Sequence, residues 1–188
     1  EVLWSGPGKN SYDDFYGRLS KLQDRFNSLD WNYAPGAFVV SIHANQKSTG
    51  SEFQVLLSSE KPGESIRFTL DGSDPTHHSD EYNQPFSITE TTTLKTALFI
   101  DGKMVGKISE KSFNFHKALR KSVKYNIPCK QKYAGNGAIT LVDGLTGTTS
   151  HSDGYWQGWE GKDLDVVIDL GKSESIENIS LSFLEAHG

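Results

Sequence analysis

The sequence predicts a mainly β protein: a small antiparallel β-sandwich, then a second β-rich stretch, with one amphipathic helix ahead of both. Three observations predict this. Between Ala37 and about Phe115, short runs of alternating apolar residues are separated by turn dipeptides. One of these runs, Ile66–Phe68–Leu70, enters the polar loop Asp71-Gly72-Ser73-Asp74-Pro75-Thr76, where glycine and proline punctuate the chain. Apolar residues take up helical spacing in the segment from Ser11 to about Trp31.

In that first segment Tyr12, Phe15, Leu19, Leu22, Phe26 and Leu29 recur every three or four residues and form one stripe. Ser11 suits the N-cap, Asp13 and Asp14 suit the positive end of the helix dipole, and Pro35-Gly36 closes the segment. Strands are then expected at Phe38–Ile42, Phe53–Ser58, Ser65–Leu70, Pro85–Ile88, Thr93–Ile100 and Lys111–Phe115. Pro62-Gly63, Asp71-Gly72 and Asp101-Gly102 separate them, and the last is a hairpin signal. A polar, basic hinge from His116 to Tyr125 leads to further strands at Ala138–Gly144, Leu164–Gly171 and Ile176–Leu184. Between the first two of these lies a loop, Thr146 to Asp163, rich in Gly, Ser, Thr and aromatic residues. Many short strands at this spacing argue for a sandwich.

Composition sets limits on function. The 188 residues leave room for one domain or two small ones. The formal net charge of -5 is spread along the chain, so no basic stripe neutralises phosphates and nucleic acid is excluded as a partner. No apolar run reaches the roughly 18 residues that a membrane span needs. One cysteine, Cys129, excludes an intrachain disulfide and reads as a buried, inert thiol. The chain begins at Glu1 without a methionine or a signal peptide and ends in a strand-like run, as expected of a piece of a longer protein.

Three segments carry resemblances. IRFTLDGSDPT, SDEYNQPFSIT and TTTLKTALFIDGKMVG follow one another between Ile66 and Gly106. With the pair Tyr82 and Pro85, they resemble the small immunoglobulin-like β-domain that follows the catalytic barrel in bacterial chitobiases and β-hexosaminidases. The stretch from Leu141 to Leu184, with Asp143-Gly144, Trp156 and the strand ending Ile168-Asp169-Leu170-Gly171, resembles the first half of a discoidin-type jelly roll. EVLWS at the start, followed by a helix with Phe15, Arg18 and Leu22, is similar to the last strand-to-helix region of a family-twenty glycoside hydrolase (β/α)8 barrel. The resemblances divide the chain into a barrel remnant (1–36), the β-sandwich (37–118) and a truncated discoidin-like domain (119–188).

They also imply a role. The parent would be an exo-acting β-N-acetylhexosaminidase, periplasmic or secreted to the cell surface, and this chain its non-catalytic accessory region. Such enzymes hydrolyse with help from the substrate's acetamido group, using an acid in a Gly-Gly-Asp-Glu strand end. Here the Asp-Glu pair is Asp80-Glu81, without the glycines and expected in a solvated loop. The implied partners are the parent barrel and a glycan ending in N-acetylhexosamine or galactose. A structural spacer without ligand and an independent adhesion module are the alternatives.

Tyr155, Trp156, Trp159 and Gln157 are the sugar-binding candidates, beside His151 and Asp153. Sugar rings present C–H faces that aromatic rings cover, while polar neighbours bind hydroxyls. Core packing beneath the loops is the competing reading of the same aromatics and the commoner fate of large rings. The discoidin resemblance further implies a structural calcium at Asp143, with Thr148 adding an oxygen, whereas Asp143 read alone is a turn-former before Gly144. His77, His78, Asp80 and Glu81 form a ligand-rich cluster that matches no familiar zinc spacing. No Gly-x-Ser-x-Gly elbow supports a serine triad. Asn178-Ile179-Ser180 fits the glycosylation triplet but falls in an expected strand.

Overall fold

The computed structural model describes residues 11–29, 38–46, 52–60 and 64–184. The expected barrel strand at Glu1–Ser5 and the turns Pro35-Gly36 and Pro62-Gly63 lie outside the described residues. The protein is mainly β, with antiparallel sheets and a single α-helix among the described residues. Helix α1 (Ser11–Ser28) ends where the Ser28 hydroxyl donates to the Arg25 carbonyl at 2.7 Å, next to the Leu29 turn. Of its stripe, Leu19 packs against the core while Phe15, Leu22 and Leu29 stay exposed.

The sandwich follows from two sheets. One contains β1 (Ser41–Gln46), β2 (Phe53–Ser58) and β5 (Phe86–Ile88), in the order β1-β2-β5. The other contains β3 (Ser65–Thr69), β4 (Asp80–Glu81), β6 (Thr92–Ile100) and β7 (Lys103–Phe113), in the order β4-β3-β6-β7. FQVLLS shows the cleanest logic: Phe53, Val55 and Leu57 are buried while Gln54 and Leu56 face outward. Phe38, Val40, Phe53, Val55, Leu57, Ile88, Leu94, Leu98 and Phe113 form the core. Phe53 lies edge-on to both Phe113 (5.1 Å) and Phe115 (5.4 Å), and burying each such ring stabilises the fold by about 2 kcal/mol.

The Asp101-Gly102 hairpin forms as expected. Both residues have positive φ (50° and 74°), as a two-residue type I′ turn requires, and Ile100 pairs with Lys103 across it. β7 therefore starts at Lys103, well before the expected Lys111. At Gly106 (φ 75°) an added Cβ would collide with the Phe38 carbonyl, so the segment entering β1 crosses close over β7 here. That crossing explains why Phe38 and Val40 are buried although the strand begins only at Ser41.

Three expectations need correction. Asp80-Glu81 is not a loop but the short edge strand β4, pairing Phe68 with Asp80 and Arg67 with Glu81. Ala138–Gly144 is not a strand, because a 3-10 helix spans Gly137–Val142 and buries Thr140 and Val142. Ile176–Leu184 forms no strand among the described residues: its backbone finds no neighbouring strand, and Ile179 and Phe183 are 90% and 81% exposed. The basic hinge instead contains β8 (Ser122–Tyr125), which pairs antiparallel with β9 (Val166–Asp169).

The second β-rich part docks on the sandwich. Asn114 N–H donates to the Gly144 carbonyl at 2.7 Å, Phe113 bridges Leu145, and Arg120 N–H donates to the Val142 carbonyl at 2.8 Å. A Cβ at Gly144 would meet Asn114, Leu119 and the Phe53 ring, so only glycine fits this contact.

Candidate functional site

The loop between β3 and β4 is built almost wholly from its own hydrogen bonds. Asp71 accepts from the Ser73 N–H (2.9 Å) and hydroxyl (2.6 Å), and these bonds hold its carboxyl below the usual aspartate range. Thr69 donates to the Ser73 carbonyl, Gly72 N–H reaches Thr93, and Gly72 takes φ 78°. Asp74 pairs with Lys95 at 2.8 Å, and Pro75 is buried. Thr76 and Ser79 close the next turn, and the Ser79 carbonyl accepts from Arg67. Arg67 also pairs with Glu81 at 3.1 Å, and Glu81 accepts from the Ser65 hydroxyl. Glu81 is thus a cross-strand tie on an edge strand.

The aromatic loop is tied in a different way. Trp159 donates its indole N–H to the Ile127 carbonyl at 2.9 Å and tilts against Tyr125 at 6.0 Å. Trp156 donates to the Thr148 carbonyl at 2.8 Å, and its ring covers Gly147, where an added Cβ would strike the indole. Gln157 accepts from the Tyr125 hydroxyl at 2.6 Å and donates to the Ala134 and Gly137 carbonyls, both at 2.9 Å. The half-buried Cys129 sulfur lies 3.8 Å from the same amide nitrogen. Tyr155 carries the Lys111 ammonium 3.9 Å above its ring, a cation–π contact. All four candidates are half-buried. The structure gathers them on one loop, and the polar ends of Trp156, Gln157 and Trp159 are bonded within the protein.

Asp153 organises the tip of that loop. Its carboxylate accepts from the N–H groups of Tyr155 (2.9 Å) and Thr148 and from the Thr148 hydroxyl (2.9 Å). Burial pushes Asp153 up, yet these bonds and Lys111 together leave it below its ordinary value. His151 meets Tyr133 edge-on at 6.0 Å.

Asp143 lies below, 8% exposed, with one carboxylate oxygen accepting the Leu145 N–H at 2.9 Å. Burial raises its pKa to about 6, against the opposing pull of that N–H and of Lys111. Calcium takes six to eight oxygens. The Thr148 hydroxyl is bound to Asp153 instead of turning toward Asp143, and no group of three His, Cys, Asp or Glu among the described residues is placed to hold a metal. As arranged, Asp143 and Thr148 do not fit a calcium cage. The rings of His77 and His78 meet at 3.7 Å, tilted by 43°.

Lys111, Tyr125 and Tyr133 join this region without having been singled out by sequence pattern. Lys111 sits on β7, and its proximity to Tyr155, Asp143 and Asp153 arises from a fold-level contact across about forty residues. Tyr125 is detectable by recognising the alternation of Val123 and Tyr125 as a strand.

No helix among the described residues is long and apolar enough to cross a membrane. Comparison with curated proteins returns no match. Residues 45–110 match the family model of the chitobiase/beta-hexosaminidase C-terminal domain. That stretch runs from the end of β1 through most of β7, and over it the chain is similar to an accessory domain of hexosaminidases.

Proposed function

We propose that this chain is a non-catalytic accessory region of an exo-acting β-N-acetylhexosaminidase, an enzyme that removes terminal β-linked N-acetylhexosamine from glycans. The observation that carries this reading is the coincidence of the matched residues, 45–110, with the two-sheet sandwich. On this reading the sandwich braces the parent's catalytic barrel, and the exposed apolar residues of α1, Phe15, Leu22 and Leu29, supply part of the contact. The parent would work in the periplasm, outside the cell or on its surface, where such glycans occur. The part from Leu141 onward would derive from a discoidin-type module, a reading supported by the sequence resemblance.

Bracing is favoured over sugar capture at the aromatic loop by one specific arrangement. Both indole N–H groups and both ends of the Gln157 amide are spent inside the protein. Sugar contact by Trp156 and Trp159 would have to use ring faces alone.

The test has two arms. The purified chain should leave a chromogenic N-acetylglucosaminide intact, and it should bind and thermally stabilise a β-N-acetylhexosaminidase barrel supplied separately. Hydrolysis by the chain alone would overturn the non-catalytic reading, and failure to associate with the barrel would overturn bracing.

A further inference from the structure

The two sheets of the sandwich do not cover each other completely. β5 begins at Phe86, which stacks on Phe68 of β3 with centroids 4.8 Å apart and planes 12° from parallel. Strand alternation puts Ile66 and Phe68 on one face of β3, the pairing of Phe68 with Asp80 brings Asp80 beside them, and Leu70 and the turn residue His78 line the same opening. Ile66 and Tyr82 pack against the core, whereas beyond Phe68 the cover stops and Leu70 is 43% exposed. What remains is a shallow, open groove of about 440 Å³ lined by Phe68, Thr69, Leu70, Asp71, His78, Ser79 and Asp80.

Its charges are unevenly spent. Arg67 is taken by Glu81, and Lys95 by Asp74 and Glu110. Asp71 ties its own turn through Ser73. Neither the Asp80 carboxylate nor the His78 imidazole makes a hydrogen bond or ion pair among the described residues, and His78 meets only the ring of His77. The groove therefore sets Phe68 and Leu70 beside the Asp80 carboxylate, which no cation neutralises among the described residues, while Asp71 at its edge is tied to Ser73.

We infer that this groove holds one residue of an amino sugar whose nitrogen is unacetylated and protonated. Such a ring has a C–H face for Phe68 and Leu70, hydroxyls for His78 and the carboxylates, and a positive charge for Asp80. An N-acetylated sugar lacks the charge, and a simple alkylamine lacks the hydroxyls. The inference rests on the glycan-associated reading above but places contact on the sandwich, away from the aromatic loop.

Calorimetric titration of the 188-residue chain with a glucosamine trimer and with its fully acetylated counterpart tests it. The glucosamine trimer should bind more tightly by about tenfold, and added salt should weaken its binding. Asp80→Asn, at an exposed position, should remove that preference with an unchanged Tm, and His78→Ala should weaken binding without equalising the two trimers. Equal affinity for both trimers, or an undiminished preference in Asp80→Asn, would overturn the assignment. Binding of neither trimer would also overturn it, while barrel association, measured separately, would still decide whether the sandwich braces the parent.

Discussion

Asp143→Asn should stabilise this protein at neutral pH. The carboxyl is 8% exposed, receives one N–H bond from Leu145, and has its pKa raised to about 6 from an ordinary 3.8, chiefly by burial. A raised pKa means that the folded state holds the proton more tightly than the unfolded chain does. Stability from this group is therefore complete below about pH 4 and is lost as the pH rises through about 6. The gap of about two pH units corresponds to about 3 kcal/mol at most, and residual hydration reduces the expected cost to about 1–2 kcal/mol. Asparagine keeps the oxygen that accepts from Leu145 and discards the charge. Denaturant unfolding of both proteins across the pH range gives the difference directly. That difference isolates Asp143 from Asp71, Asp153 and Glu174, whose lowered pKa values act in the opposite sense, their stabilisation being lost as pH falls. Above about pH 7 the variant should be more stable by about 1–2 kcal/mol, or about 2–8 °C in Tm, and the advantage should vanish near pH 4. A variant destabilised at neutral pH would refute the reasoning, because the charge would then be serving a cation or Lys111 more than it costs.

Other substitutions probe the scaffold. Gly106→Ala should cost about 2 kcal/mol or more in chemical denaturation, since φ 75° and the Phe38 carbonyl both oppose a Cβ; a neutral result would mean that β7 does not approach the Phe38 segment so closely. Trp159→Ala should lower Tm by several degrees through the loss of the Ile127 bond and the Tyr125 contact; abolished glycan binding with an unchanged Tm would restore the platform reading. Calcium and a chelator should each leave Tm within about 1 °C, because Thr148 is committed to Asp153, and a clear rise with calcium would show that the loop rearranges into a cage.

The parts of the fold legible in sequence are those where local chemistry and tertiary demand agree. FQVLLS alternates because one of its faces meets the core, and Asp101-Gly102 turns because both residues tolerate positive φ. The motif from Ile66 to Thr76 announces a strand and a turn, and nearly every polar group in it proves to be used locally. Legibility fails where pattern is short or partners are distant. β4 has two residues, too few for a period. AITLV is an apolar run that a 3-10 turn and a strand both satisfy, and burial of Thr140 and Val142 decides for the turn. ISLSF alternates like a strand yet finds nothing to pair with among the described residues. At the aromatic loop, residue types are readable but the direction of each indole N–H is not, since its acceptor comes from a carbonyl up to 32 residues away.

The seam at Gly144 bears on how such a protein could have been assembled by recombination. A cut at residue 118, where composition changes, would leave the Phe53 ring without the Gly144 backbone that closes over it, and would leave Asn114 N–H without its acceptor. The exchangeable unit is therefore longer than the sandwich alone and must run through at least Leu145, whose bridge to Phe113 completes the edge of β7. A gene-level crossover that respected the turn signals and ignored this seam would deliver a sandwich with one end of its core uncovered.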